Sequence, residues 1–412
     1  MFGPIARNTL RTSAVFAVRL LIQAGTLLIV ARLLGPHNYG AFAGLAALAV
    51  ILGTVSTFGT HIVFLAEMSK APEKRDTMLP TALGTTLVCG SILFVVYVLI
   101  SIVLFKRHDI PIEVIASLGF AELLIQPLLN FPSTECLAQH RVVTSQWIMI
   151  TPLALRLGVA TIIWTAQPGT PLLYYAYGYV LASAIALGLT LQRMPQPWPR
   201  LRSWRMAQLP ELRHAAGYAA MNITAAGPAE LDKTLATRLL PLGAAGIYAA
   251  SARVIGAFTL PVIAMMLSAL PRLFREGETH PLKTARLLRW TFAASLLYSL
   301  VLGMAVWILA RPISELFGPR YHDIAETLRW LCLALPGLTL RIAAGSALMA
   351  LGKPWMRVGF EIAGIVMLVL SSMILVSLLG ARGMPIALVT AESFMALFGW
   401  LLTFKIVMLH SG

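Results

Sequence analysis

The chain has 412 residues, of which 58% are hydrophobic and 12% charged; 32 Lys+Arg oppose 17 Asp+Glu, giving a formal net charge of +15, and the mean hydropathy is +0.79. Soluble domains carry about 25% charged residues, so this composition excludes an ordinary soluble enzyme. The basic residues fall in short loops between apolar runs, the positive-inside pattern of a polytopic membrane protein rather than a nucleic-acid-binding surface.

Arg7 and Arg11 precede the first apolar run, as in a signal peptide, but that run is too long, contains Arg19 and lacks a small-x-small cleavage site, so it reads as a retained first span. A bilayer crossing takes about 20 helical residues. Twelve such spans are predicted, at roughly 12–34, 41–66, 79–105, 112–135, 146–167, 170–192, 214–239, 244–270, 288–310, 325–350, 356–379 and 384–408. Between the first two lies Ala31-Arg32-Leu33-Leu34-Gly35-Pro36-His37-Asn38-Tyr39-Gly40-Ala41-Phe42, where Gly35-Pro36 is expected to stop one helix and Gly40 to open the next. The pattern returns at Thr237-Arg238-Leu239-Leu240-Pro241-Leu242-Gly243-Ala244-Ala245-Gly246-Ile247-Tyr248, half a chain length further on, with Tyr248 in the place of Phe42. His108-Asp109-Ile110 is echoed by His322-Asp323-Ile324, which fits an insertion of about eight residues in the second copy. The expected architecture is therefore all-α: twelve transmembrane helices in two pseudo-symmetric six-helix lobes, 1–192 and 214–412, around a central cavity.

The connector 193–213 carries Arg193, Arg200, Arg202, Arg205 and Arg213, with Pro195, Pro197, Pro199, Trp198 and Trp204. It reads as a basic cytoplasmic linker suited to an anionic membrane surface. With the N-terminus in the cytoplasm, nineteen Lys/Arg fall on that side and eight on the other, so both termini are predicted to be cytoplasmic.

The five remaining cations, Arg19, Arg156, Lys233, Arg253 and Arg341, lie inside spans. A charge at mid-helix costs about 2.5–3.5 kcal/mol on insertion scales, so such residues face the bundle interior or a water-filled cavity. Acids also lie within spans: Glu122, Glu230, Asp232, Glu361 and Glu392. One reading makes them structural pairs, such as Glu122 with Arg156, or Glu230 with Lys233 one turn away. The other gives a lumen lined by spans 1, 2, 7 and 8, hydrated by Gln23, Gln126 and Asn222, with Arg19, Lys233 and Arg253 attracting a phosphate-bearing substrate. Pro152, Gly227-Pro228, Pro261 and Pro336-Gly337 interrupt spans; static kinks are expected, with a hinge at Gly227-Pro228.

Cys89, Cys136 and Cys332 show no CxxC or Cys/His spacing, so neither a metal site nor a disulfide framework is expected. No GxSxG, HExxH, P-loop or GxGxxG occurs, and the outer loops are too short for a membrane glycosyltransferase or polymerase. No enzyme is predicted.

Arg32-Leu33-Leu34-Gly35-Pro36-x-x-Tyr39-Gly40 resembles the signature of polysaccharide transporters in the multidrug/oligosaccharidyl-lipid/polysaccharide (MOP) exporter superfamily. Leu316-Phe317-Gly318-Pro319-Arg320-Tyr321 with Leu328, and Ala350-Leu351-Gly352-Lys353-Pro354, resemble its turns on either side of span 10. The chain departs from the family at Thr57-Phe58-Gly59-Thr60, where an acidic residue is often found. The resemblance implies an O-antigen or lipid-linked oligosaccharide flippase of the bacterial inner membrane, moving undecaprenyl-diphosphate-linked oligosaccharide outward by alternating access. It gives Arg19, Arg156, Lys233, Arg253 and Arg341 the role of holding the diphosphate or acidic sugars. It leaves Glu122, Glu230, Asp232 and Glu392 as candidates for a coupling ion, H+ or Na+, with no other cofactor. Membrane lipids and the polysaccharide-assembly machinery are the implied partners. The alternatives are a cation-coupled drug or small-molecule exporter of the same superfamily, and a peptidoglycan-precursor flippase, which usually has fourteen spans.

Overall fold

A computed structural model describes residues 4–139, 141–194, 196–266, 269 and 281–409. Pro195, the end of the span expected at 244–270 (apart from residue 269), and the loop that follows it lie outside these. Every element among the described residues is helical. The helices are α1 (Pro4–Ser56), α2 (Thr60–Lys70), α3 (Arg75–Phe105), α4 (Ile112–Phe120), α5 (Gln126–Ala138), α6 (Val142–Ala166), α7 (Pro171–Arg193), α8 (Leu209–Leu239), α9 (Leu242–Ala257), α10 (Pro281–Phe317), α11 (Ile324–Cys332), α12 (Leu335–Ala350), α13 (Pro354–Leu379) and α14 (Gly383–Leu409).

The helices are patterned inside out. On α3 the large residues Val88, Ile92, Val95, Leu99 and Val103 recur at helical spacing and are exposed, Val103 by 73%, while Gly84, Thr85, Thr86 and Ser101 are buried. α10 exposes Leu297, Leu300, Val301, Met304 and Ile308 and buries Ser295 and Ser299. In water this would be unstable. In hydrocarbon it is favourable, because oily side chains gain nothing by leaving lipid and helix contact is driven by close packing of small residues. The seam in α12 is of that kind: Ala343, Ala344 and Ala347 are fully buried against Ala396 and Trp400 of α14, whose indole Nε1 donates to Leu340 O at 2.9 Å.

Eight helical segments among the described residues are long and apolar enough to cross a membrane, or nine if the bent pair α11–α12 forms one span. Two of the eight, Ala17–Ser56 and Pro354–Ile406, have 40 and 53 residues, each long enough for two crossings. α8 is not among them; Glu211, Arg213, Glu230, Asp232, Lys233 and Arg238 interrupt its apolar character.

The chain divides into two compact units, Met1–Ala226 and Gly227–Gly412. The boundary falls inside α8, at Gly227-Pro228, beyond the connector 193–213. That connector is built onto the first unit. Arg75, paired with Glu135 at 2.8 Å, donates to Gln196 O at 3.2 Å and Pro197 O at 3.4 Å. Arg205 Nε donates to Thr81 Oγ1 at 2.8 Å, and Trp198 and Trp204 pack on Phe64, Met68, Leu79 and Phe131.

The two units repeat one order of breaks. α1 kinks at Gly35 (φ 68°, ψ 169°); its second limb starts at Pro36 rather than at Gly40, because proline is pre-set for a first helical position. The counterpart, α8–α9, breaks before Pro241, the residue that caps α9. The helix resumes in the first unit after Phe58-Gly59 and in the second after Phe258-Thr259. The turns at Asp109 and Asp323 both precede an interrupted helix: a π-turn at Ala121–Ile125, and a 46° bend between α11 and α12. Pro336 sits in the first turn of α12, so it starts a helix, whereas Pro152 and Pro228 lie within continuous helices.

Gly59 has a positive φ of 75°, and a Cβ there would meet Ala215 O at 2.6 Å and Ala219 N at 2.9 Å. Gly352 has φ 69° with open space around it. Gly352→Ala should cost about 1–2 kcal/mol for the left-handed backbone alone. Gly59→Ala should cost about 1–3 kcal/mol more, since two backbone segments must separate. Melting in detergent, read by size-exclusion chromatography, checks the order.

Candidate functional site

Each unit buries a cluster in which charged side chains meet a tyrosine hydroxyl. In the first, Glu122 sits on the π-turn, where the extra residue widens the helix; such turns concentrate at functional positions. Gly53 of α1 and Gly90 of α3 let their helices close onto this turn, since a Cβ would come within 2.7 Å of Glu122 O and 2.5 Å of Leu123 O respectively. Arg156 of α6 reaches Glu122 Oε1 at 3.2 Å. Its Nη2 also donates to Gln126 Oε1 at 3.1 Å and Ser183 Oγ at 2.9 Å, and its guanidinium lies 3.7 Å above the Tyr179 ring. The Tyr179 hydroxyl donates to the same carboxylate oxygen of Glu122. Arg156 and Glu122 are 6% and 7% exposed. This is a closed pair with its lone pairs largely satisfied, the condition under which a buried ion pair is tolerated.

In the second unit the cluster runs from α8 to α9. Lys233 Nζ lies 3.2 Å from Asp232 Oδ1 and 3.5 Å from Glu230 Oε2. Arg253 Nη2 meets the same Glu230 oxygen at 3.2 Å, and the Tyr248 hydroxyl donates to Asp232 Oδ2 at 2.9 Å. Asp232 and Lys233 are buried, while the Arg253 side chain is 39% exposed. In the same unit Arg341 Nε donates to Glu392 Oε2 at 2.6 Å; Glu392 is fully buried and its Oε1 has no hydrogen-bond partner. Arg357 and Glu361 form an ordinary one-turn pair at 3.0 Å on α13.

The five in-span cations therefore separate by geometry. Arg156 and Arg341 are buried and each is matched by one carboxylate. Lys233 is buried between two. Arg253 shares Glu230 with Lys233, and its side chain is partly exposed. Arg19 on α1 is half-buried and, among the described residues, makes no ion pair; its polar contact is Nη1 to Gln146 Oε1 at 3.4 Å. Both structural pairings offered above, Glu122 with Arg156 and, one turn apart, Glu230 with Lys233, are present.

Sequence reasoning missed the hydroxyl partners Tyr179 and Tyr248, and the buried pair Arg75–Glu135. One signal for Tyr248 was available: it replaces Phe42 in the repeat. Phe42 packs edge-on against Tyr175 and Tyr179, with ring centroids 5.3 and 6.0 Å away.

Residues 5–276 match the model of a family described as polysaccharide biosynthesis protein. No curated protein matches the chain. Among solved structures, an inward-facing multidrug resistance MATE family transporter of the MOP superfamily superposes with a TM-score of 0.76 at 16% identity, covering 95% of both chains. The lipid II flippase MurJ, inward closed, superposes with 0.73 at 11% identity, covering 95% of this chain and 87% of that one. A MOP superfamily transporter from Pyrococcus furiosus gives 0.64 at 16% identity, covering 98% and 94%. These likenesses show the fold.

Breaking one partner of a buried pair costs about 3–5 kcal/mol, whereas removing both is often close to neutral. Arg341→Met should therefore lower thermal stability strongly, and Arg341→Met with Glu392→Met should recover most of it. The cycle Arg156→Met with Glu122→Gln should behave likewise in the first unit. Melting of the purified single and double variants in detergent measures both.

Proposed function

The chain belongs to the polysaccharide biosynthesis protein family, and from that premise we propose that it is a flippase that carries undecaprenyl-diphosphate-linked oligosaccharide from the inner to the outer leaflet of the bacterial inner membrane. The observation that carries the reading is the family match across residues 5–276. The MOP transporter fold supports it, because that fold is found in a lipid II flippase as well as in multidrug transporters.

The proposal gives the chain twelve crossings, both termini in the cytoplasm, an N-terminal lobe, a basic linker and a C-terminal lobe, and no catalytic step. Translocation by alternating access needs the lipid headgroup to be held and released. Arg19 and Arg253 suit that role best. The Arg253 side chain is 39% exposed while it pairs with Glu230, Arg19 is only half-buried, and among the described residues no carboxylate neutralises Arg19. A guanidinium in a low-dielectric setting binds phosphate through paired N–H donors. Arg156, Lys233 and Arg341 would act at one remove, setting the potential and holding helices in register. The coupling ion, H+ or Na+, is assigned to the carboxylates Glu122, Glu230, Asp232 and Glu392. Of these Glu392 is the best proton site, since its buried Oε1 lacks a partner.

A drug exporter of the same fold would confer resistance on an overexpressing strain, and no resistance is expected here. In a strain that depends on this chain, Arg19→Glu should reduce outer-leaflet appearance of the lipid-linked precursor by at least about tenfold, the equivalent of one charge-assisted hydrogen bond. Arg19→Lys should retain part of it. Arg253→Glu should lose transport too, while both charge-reversed proteins still insert. Undiminished transport by both would remove these arginines from the mechanism.

A further inference from the structure

The connector 193–213 has two unlike faces. One is fixed to the first unit. Trp198 and Trp204 stack edge to face, with centroids 5.9 Å apart, in the apolar cluster of α2, α3 and α5. Arg75 holds the carbonyls of Gln196 and Pro197. Arg205 N donates to Pro80 O at 3.4 Å, and Ala207 N to Thr85 Oγ1 at 2.8 Å. At Gly84 the strap runs so close to α3 that a Cβ would fall 2.3 Å from Arg205 O. The segment is a built element with a defined outer surface, although between α7 and α8 only the turn Leu201–Ser203 is helical.

The outer face is oily and basic together. Leu201, Met206 and Leu209 are 73%, 47% and 63% exposed. Between and beside them Arg193, Arg200, Arg202 and Arg213 are exposed, and among the described residues none of the four makes an ion pair. The one acid in the stretch, Glu211, is taken up by Arg205 at 3.7 Å and by the amide of Gln208. The strap begins at Arg193, the last residue of α7, a helix long and apolar enough to cross a membrane, so it starts at the level where that helix leaves the hydrocarbon. An exposed leucine flanked by unneutralised arginines at that depth fits one surroundings: acyl chains under anionic phosphates.

We propose that the outer face of this strap is a docking surface for anionic phospholipid. Leu201, Met206 and Leu209 enter the headgroup–acyl boundary, and Arg193, Arg200, Arg202 and Arg213 bind lipid phosphates. This is independent of which substrate the protein moves.

The test uses the full chain, with Cys89, Cys136 and Cys332 replaced by alanine and a spin label on Leu201→Cys. It is reconstituted in phosphatidylcholine vesicles with or without about 30 mol% phosphatidylglycerol. The expected result is a label shielded from a water-soluble nickel relaxant and open to oxygen in the anionic vesicles, and water-exposed in the neutral ones. Adding Arg193→Gln, Arg200→Gln and Arg202→Gln should move it back to water, by about fivefold in the docked-to-free ratio for each arginine. A label that stays in water in both vesicles, as it would if the face served a protein partner, overturns the proposal. So does equal burial in both. A second measurement keeps the native cysteines: phosphatidylglycerol added to the detergent should raise the melting temperature of the parent chain and not of the triple arginine variant. An equal rise in both refutes the assignment.

Discussion

Neutralisation of charge inside hydrocarbon is the constraint on which this structure turns. A cation in mid-span is costly unless a partner or water answers it, and the protein answers most of its own. Glu122 with Arg156, and Glu392 with Arg341, are closed within single units, with tyrosine, serine and glutamine completing the first of them. These pairs add little net stability over an apolar core. What they do is define rotation: α6 can face α4–α5 in one orientation only, and α12 can face α14 in one only, or a charge is left in oil. Against that background of matched charge, Arg19 stands out among the described residues by making no ion pair, and Arg253 by a side chain that is 39% exposed while it pairs with Glu230.

The broken helices follow from the same solvent. Non-helical backbone at membrane depth survives where protein covers it. The break at Thr57–Gly59 is covered by the first half of α8, where Gly59 lies against the backbone of Ala215 and Ala219. The π-turn at Glu122 is covered through Gly53 and Gly90. Prolines at 36 and 336 stand in the first turn of a helix and Pro241 caps one; Pro36 and Pro241 fall one position apart at the same break of the repeat. The two units thus share the order of their breaks.

The connector illustrates a division of labour between faces. Its tryptophans and backbone amides hold it to α3 through bonds that a soluble loop would give to water. The buried pair Arg75–Glu135 spends its remaining donors on the connector's carbonyls, so loop and helix ends form one body. A linker of this construction fixes the level of the helix ends it joins.

Hydropathy alone determined the class of protein, the location of the apolar helices and the midpoint connector, because lipid demands long apolar runs and loops collect the positive charge. The charge pattern also offered the pairs Glu122–Arg156, on neighbouring spans, and Glu230–Lys233, one turn apart. It could not give Arg341–Glu392, 51 residues apart, nor the Tyr179 and Tyr248 hydroxyls that complete the clusters. Nor could it tell Arg156, sealed in a pair, from Arg19, half-open with a glutamine beside it. All five in-span cations look alike in a linear pattern. Only the rotation of each helix against its neighbours, set by alanine and glycine seams that pack to a single register, decides which of them meets a carboxylate and which meets a neutral partner.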